Sequence, residues 1–123
     1  MKFVDTSPIY NQIADDVKQK IIKGDLQEGG KLPSVREYCE LYNVTSLTMQ
    51  RAVARLETDG IIRTQKGVGS FVNDGIVSKL AHDESHRAVQ LFVGTMIKMG
   101  FGNEDVLNMV KEELRRERNN QDE

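Results

Sequence analysis

Apolar positions recur at helical spacing in five stretches of this chain, and a short hairpin pattern lies between the third and the fourth. Ile9, Ile13, Val17 and Ile21 repeat every four residues with Ala14 beside them, which predicts a first helix of about four turns with one buried stripe. Ser7 is suited to cap it, and Pro8 is tolerated at the first helical position. Lys20 and Lys23 suit the dipole at its end, and Gly24 closes it. Residues 25–31 read as a loop with room for a very short strand before Leu32. Over residues 34–42, Val35, Tyr38, Cys39 and Tyr42 give a second stripe, and Ser34 with Glu37 matches a capping box. Asn43, Val44 and Thr45 form a turn, with Val44 plugging the core and Thr45 or Ser46 capping the third helix. Residues 46–58 place Met49, Ala52, Val53 and Leu56 at i, i+3, i+4 and i+7. Leu47, Gln50, Arg51, Ala54 and Arg55 then point the other way. Gly60 ends this helix, with Glu57 and Asp59 expected at the end away from any anion. Residues 61–64 and 70–72 read as two strands joined by a tip from Gln65 to Gly69, where Gly67 and Gly69 permit positive φ.

From about residue 76 the period is helical again. Val77, Leu80, Ala81, Ala88, Leu91, Phe92, Met96 and Met99 share one stripe that ends at Gly100. The polar run 82–86 interrupts it and places the proper helix start near Ser85. Asn103 is expected to cap a last helix whose apolar face is Val106, Leu107, Val110 and Leu114, with a charged, frayed tail from Arg115. The predicted fold is therefore mainly α with a small β-hairpin: a winged helix-turn-helix domain over 1–75, then a two-helix segment over 76–123. That segment is too small to enclose its own core. Its apolar stripes need a partner, so Leu80, Ala88, Leu91, Phe92, Met96, Met99, Val106, Leu107, Val110 and Leu114 are the candidate dimerisation residues, with a two-fold homodimer expected. A ligand-binding role for Met96, Met99 and Met109 is the alternative to packing.

The 123 residues carry a net charge of −2, which counts mildly against nucleic acid. Residues 1–75 balance ten Lys/Arg against ten Asp/Glu, and residues 76–123 hold seven against nine. A neutral domain still binds DNA if its cations share a face, and Arg36, Arg51, Arg55, Arg63 and Lys66 are the candidates for one. No apolar run reaches membrane length, and no signal region opens the chain, so the expectation is a cytoplasmic protein with no membrane partner. Cys39, on a helix stripe, reads as a small hydrophobe in a reducing compartment. His82 and His86 are one turn apart, but spacing fixes no third ligand; no metal and no cofactor are expected. No nucleophile with a positioned base can be picked out, so an enzyme is not expected. The glycine pair at 29–30 lacks the remainder of a phosphate loop.

Two short helices joined by a tight turn form the helix-turn-helix pattern, and the second of them presents Gln50 and Arg51, side chains able to pair with base edges in a major groove. Ser34, Arg36 and the free amides beside them suit a phosphate. Lys66 with Gly67 and Gly69 suits a minor groove or a phosphate ridge. Double-stranded DNA is the implied partner. A winged-helix adaptor that binds protein and not specific DNA is the alternative, supported by the near-neutral first domain.

Residues 1–75 resemble the DNA-binding domain of the GntR family of bacterial transcription regulators. The match is carried by Pro8-Ile9-Tyr10, Gly24-Asp25-Leu26, Leu32-Pro33-Ser34-Val35-Arg36-Glu37, Thr48, Arg51-Ala52, Leu56-Glu57, Gly60-Ile61-Ile62 and Gly67-Val68-Gly69-Ser70-Phe71-Val72. The resemblance implies DNA contacts from Ser34, Arg36, Ser46, Thr48, Gln50, Arg51, Lys66, Gly67 and Gly69. Many members carry Arg or Pro where this chain has Ser46. Here Ser46 can cap the helix and touch phosphate while Leu47 meets a thymine methyl, which leaves the operator sequence open. The short remainder after residue 75 is similar to that of the YtrA subfamily. That likeness implies a homodimeric repressor on a palindromic operator, at a transporter operon including its own gene. No residue specifies a small-molecule effector.

Overall fold

A computed structural model describes residues 1–121. The elements are α1 (Ile9–Lys23), α2 (Val35–Tyr42), α3 (Ser46–Thr58), β1 (Ile62–Gln65), β2 (Gly69–Val72), α4 (Ile76–Lys98) and α5 (Asn103–Gln121). This is the mainly helical fold with a small antiparallel hairpin expected from the pattern. The chain divides into two compact units, Met1–His82 and the residues from Asp83 onward. No helix among the described residues is long and apolar enough to cross a membrane.

The first unit is built around the inner faces of α1 and α3. Ile13, Ala14, Val17 and Ile21 of α1 meet Met49, Ala52 and Leu56 of α3, and all are buried. The four-residue period of α1 is buried only from its second turn, because Ile9 remains 43% exposed. The α1 cap also differs from expectation. Pro8 occupies the cap position and makes no side-chain cap bond. Instead Gln12 reaches back, donating to the carbonyls of Val4 (2.7 Å) and Ser7 (2.8 Å). At the other end Gly24, at φ +90°, turns the chain out of α1.

The capping box of α2 is present as expected. The Ser34 hydroxyl accepts from the Glu37 amide (3.1 Å), and the Glu37 carboxylate accepts from the Ser34 amide (3.4 Å). Tyr38 and Tyr42 are buried and stacked, 5.7 Å between ring centres. Tyr42 Oη donates to Asp16 (2.7 Å), and Lys20 donates to that hydroxyl (3.4 Å) and pairs with Asp16 (3.4 Å), which fastens α2 to α1. Thr45 caps α3 through the Thr48 amide (3.3 Å). At its far end Asp59 pairs with Arg55 (3.2 Å) and with Lys18 of α1 (3.3 Å).

The hairpin pairs Ile62 with Val72 and Gln65 with Gly69. The loop after α1 lies along β2: the Leu32 amide donates to Ser70 (2.8 Å), Gly29 donates to Val72 (2.8 Å), and Val72 donates to Gly30 (3.0 Å). The very short strand expected before Leu32 is thus a single bridge, Lys31 to Phe71.

α4 runs unbroken from Ile76, and the start expected near Ser85 is not seen. A polar run without Gly or Pro does not interrupt a helix that is solvated there. Ile76 and Leu80 are buried in the first unit's core, so that unit extends past the boundary expected at 75. The last helix likewise begins at Asn103 itself and continues through Gln121, where Arg116 pairs with Glu112 (3.1 Å) and Glu113 (3.4 Å).

Burial pushes both stacked phenols up, Tyr38 to about 12 and Tyr42 further, the Tyr42 bond to Asp16 adding to its rise. A raised folded pKa means that the unfolded chain loses these protons first. Stability from this pair is complete below pH ~10 and falls as pH rises beyond it. Phenolate absorbance of the folded protein should therefore lag behind that of the denatured protein in an alkaline titration. Tyr42→Phe removes the bond to Asp16 and should cost about 1 kcal/mol, read as a lower urea midpoint; an unchanged midpoint would show that the bond contributes nothing net.

Candidate nucleic-acid interface

The inner face of α3 is consumed by the core, which leaves its outer face free. Ser46, Leu47, Gln50, Arg51 and Ala54 are exposed, Leu47 by 58%. Thr48 is half-buried and belongs to the cap: its hydroxyl accepts from Thr45 (3.0 Å). The Gln50 carboxamide donates to the Ser46 hydroxyl one turn earlier (3.2 Å). Arg51 forms no ion pair among the described residues.

The five cations singled out from the sequence separate into two groups. Arg55 is paired with Asp59. Arg63 donates to the Val72 carbonyl (3.3 Å) and to Asn73 (3.4 Å), and it lies over the Phe71 ring at 5.5 Å. Both are engaged in holding the fold. Arg36, Arg51 and Lys66 are exposed, without an ion pair among the described residues.

Ser34, Lys66, Gly67 and Gly69 meet around one groove of about 350 Å³, which runs between the start of α2 and the hairpin. Val35, Tyr38 and Val53 form its apolar floor. The hairpin tip turns at Lys66-Gly67-Val68, with the Val68 amide donating to Gln65 (2.9 Å). Gly67 sits at φ +79° and Gly69 at φ +142°. Gly69 has a second reason to be glycine: a Cβ there would stand 2.7 Å from Lys31 Cε.

That contact brings in a residue absent from the candidates singled out by sequence. Lys31 lines the groove with its stem against Gly69. The signal was available, since an extended segment that buries Leu32 must turn Lys31 to the opposite side. The hairpin is braced from below as well. Thr64 donates to Glu57 at the end of α3 and shares a hydrogen bond with Ser70 (2.9 Å). Glu57 and Asp59 are thus engaged by the protein's own donors.

In the second unit, Phe92, Met96, Val110 and Leu114 come together with Met109 around a shallow apolar groove of about 380 Å³, edged by Glu113 and Glu117. Val106 is half-buried, and Ala88, Leu91, Met99 and Leu107 are exposed. Leu80 is not available to this surface, because it is buried in the core of the first unit.

The gntR family of bacterial regulatory proteins matches residues 9–72, from α1 to the end of the hairpin. The HTH-type transcriptional regulator YhcF of Bacillus subtilis (strain 168) is 34% identical over 112 residues, 89% of this chain and 93% of that protein. The HTH-type transcriptional repressor YtrA of the same organism is 36% identical over 75 residues, 61% of this chain and 58% of that protein. A GntR family transcriptional regulator from Listeria monocytogenes superposes with a TM-score of 0.81 at 34% identity, over 89% of this chain and 98% of the other. The chain belongs to the gntR family of bacterial regulatory proteins and is a sequence-specific DNA-binding transcription regulator, not an enzyme.

Proposed function

We propose that the chain works as a two-fold homodimer that represses transcription by occupying a palindromic operator. One observation carries the dimer: no side chain from residue 83 to residue 121 is fully buried. Leu91 is 74% exposed, Ile97 61% and Leu114 59%. Two helices with this much apolar surface and no core of their own are covered by a second copy, through Ala88, Leu91, Phe92, Met96, Met99, Val106, Leu107, Val110 and Leu114. A two-fold pair then sets two reading helices on inverted half-sites.

Within each half-site α3 enters the major groove. Arg51 reads a guanine, Gln50 leaves Ser46 for a base edge, and Leu47 meets a thymine methyl. Ser34, Arg36, Ser46 and Thr48 sit at helix starts, where amides and hydroxyls suit phosphate. Lys66, Gly67 and Gly69 follow the minor groove, with Lys31 adding charge beside them. The short second unit and the likeness to the repressor YtrA support a YtrA-like regulator, acting at a transporter operon that includes its own gene. Repression needs no chemistry, only occupancy of DNA that a polymerase must use.

The test is binding to the intergenic duplex upstream of its own gene at two salt concentrations, with random duplex as competitor, alongside sedimentation of the free protein. A dimer, a steep fall in affinity with salt and a footprint of two inverted half-sites are expected. A monomer with a single protected half-site would overturn the two-fold reading. Arg51→Ala should lower the operator-to-random affinity ratio by about 1–3 kcal/mol. Lys66→Ala should weaken binding to all duplexes alike and reduce the salt slope by about one. An unchanged ratio in Arg51→Ala would remove that residue from base reading.

A further inference from the structure

α4 starts without a cap of its own. No acidic residue lies in its first turn, yet a helix N-terminus leaves several amides without partners and favours negative charge. The charge comes from a distant part of the chain. Glu28, in the loop after α1, places one carboxylate oxygen 3.1 Å from the Gly75 amide and the other 2.9 Å from the Val77 amide. Both amides donate, and these two bonds hold the carboxyl below its usual range. The loop that carries Glu28 is itself fixed. Its next two residues, Gly29 and Gly30, exchange backbone hydrogen bonds with Val72 at the end of β2. A single carboxylate therefore ties the base of the hairpin to the first turn of α4.

The length of α4 makes that tie consequential. Its 23 residues extend about 34 Å at 1.5 Å each. A tilt of about 10° at the first turn displaces the far end by roughly 6 Å, close to two base-pair steps at about 3.4 Å each. Ile76 and Leu80 pack their apolar sides into the core. Packing of that kind is non-directional, whereas two hydrogen bonds to nearby open amides fix an angle. We propose that Glu28 is a positioning residue that sets the direction in which α4 leaves the DNA-binding unit, and so determines which spacing between operator half-sites the regulator accepts. The inference rests on the dimeric reading above and adds a residue outside the DNA-contacting surface as a determinant of operator choice.

The full-length protein, Glu28→Gln and Glu28→Ala are compared on three kinds of duplex: the wild-type footprint sequence, the same half-sites with the spacer changed by one or two base pairs, and a single half-site. Wild type is expected to lose about tenfold or more away from its preferred spacing. Glu28→Ala should lose about tenfold at that spacing, flatten the spacing profile to within about threefold, and bind the single half-site within about twofold of wild type, since only preorganisation has been removed. Glu28→Gln retains one acceptor oxygen and should fall between the two. Amide hydrogen exchange at Gly75 and Val77 should accelerate in Glu28→Ala with or without DNA. A spacing profile kept intact in Glu28→Ala, or an equal loss on the single half-site, overturns the proposal and leaves Glu28 as a stabilising cap. A wild type that shows no spacing preference and sediments as a monomer overturns the two-fold reading, and this proposal with it.

Discussion

The structure depends on one amphipathic constraint. α3 must bury Met49, Ala52 and Leu56 completely and keep the opposite face clear for DNA. A helix of 13 residues is too short to be stable by itself in water, so its inner face has to be held by something rigid. α1 supplies that surface with Ile13, Val17 and Ile21, and the Asp59 pairs with Lys18 and Arg55 close its far end. α2 and the hairpin are then braced against this pair, through Tyr42 to Asp16 on one side and Thr64 to Glu57 on the other. What remains exposed on α3 is what the core could not use, and in this family that remainder is the reading surface.

The near neutrality of the first unit has a structural resolution. Its carboxylates are largely occupied by internal donors: Asp16 by Tyr42 and Lys20, Asp59 by Lys18 and Arg55, Glu57 by Thr64, Glu28 by two backbone amides. Arg36, Arg51, Lys31 and Lys66 are not tied up in this way. Net charge sums both sets and so conceals the separation between them. What matters to a polyanion is where the unneutralised groups stand, and this chain uses its acids as internal fasteners.

Much of this is legible in the sequence because it is local. The capping box at Ser34 and Glu37, the stripe on α3 and the glycines at the hairpin tip each lie within a few residues and obey a period or a turn rule. Features that depend on residues far apart are not. Lys31 acquires its place from a one-residue bridge to Phe71, too short to show as a strand pattern. The polar run in α4 resembles a break and places the expected start too late, while the anchoring Ile76 and Leu80 belong to a core assembled mostly from residues before 62. Glu28 sits 47 residues from Gly75, and no spacing rule connects them. Arg63 has the sequence context of a free cation, and only the fold shows it spent on Phe71, Val72 and Asn73.

The bond between Gln50 and Ser46 bears on how strictly such a face discriminates. A side chain with a partner on its own helix has somewhere to return when the base opposite is wrong, and the polar group is not stranded. Arg51 has no such ion-pair fallback among the described residues, so a mismatch there leaves a desolvated charge uncompensated. Two adjacent readers on one helix thus differ in tolerance. In informational terms the base pair under Arg51 is nearly fixed and the one under Gln50 is free to drift, so related operators can accumulate at a single gene without losing their regulator.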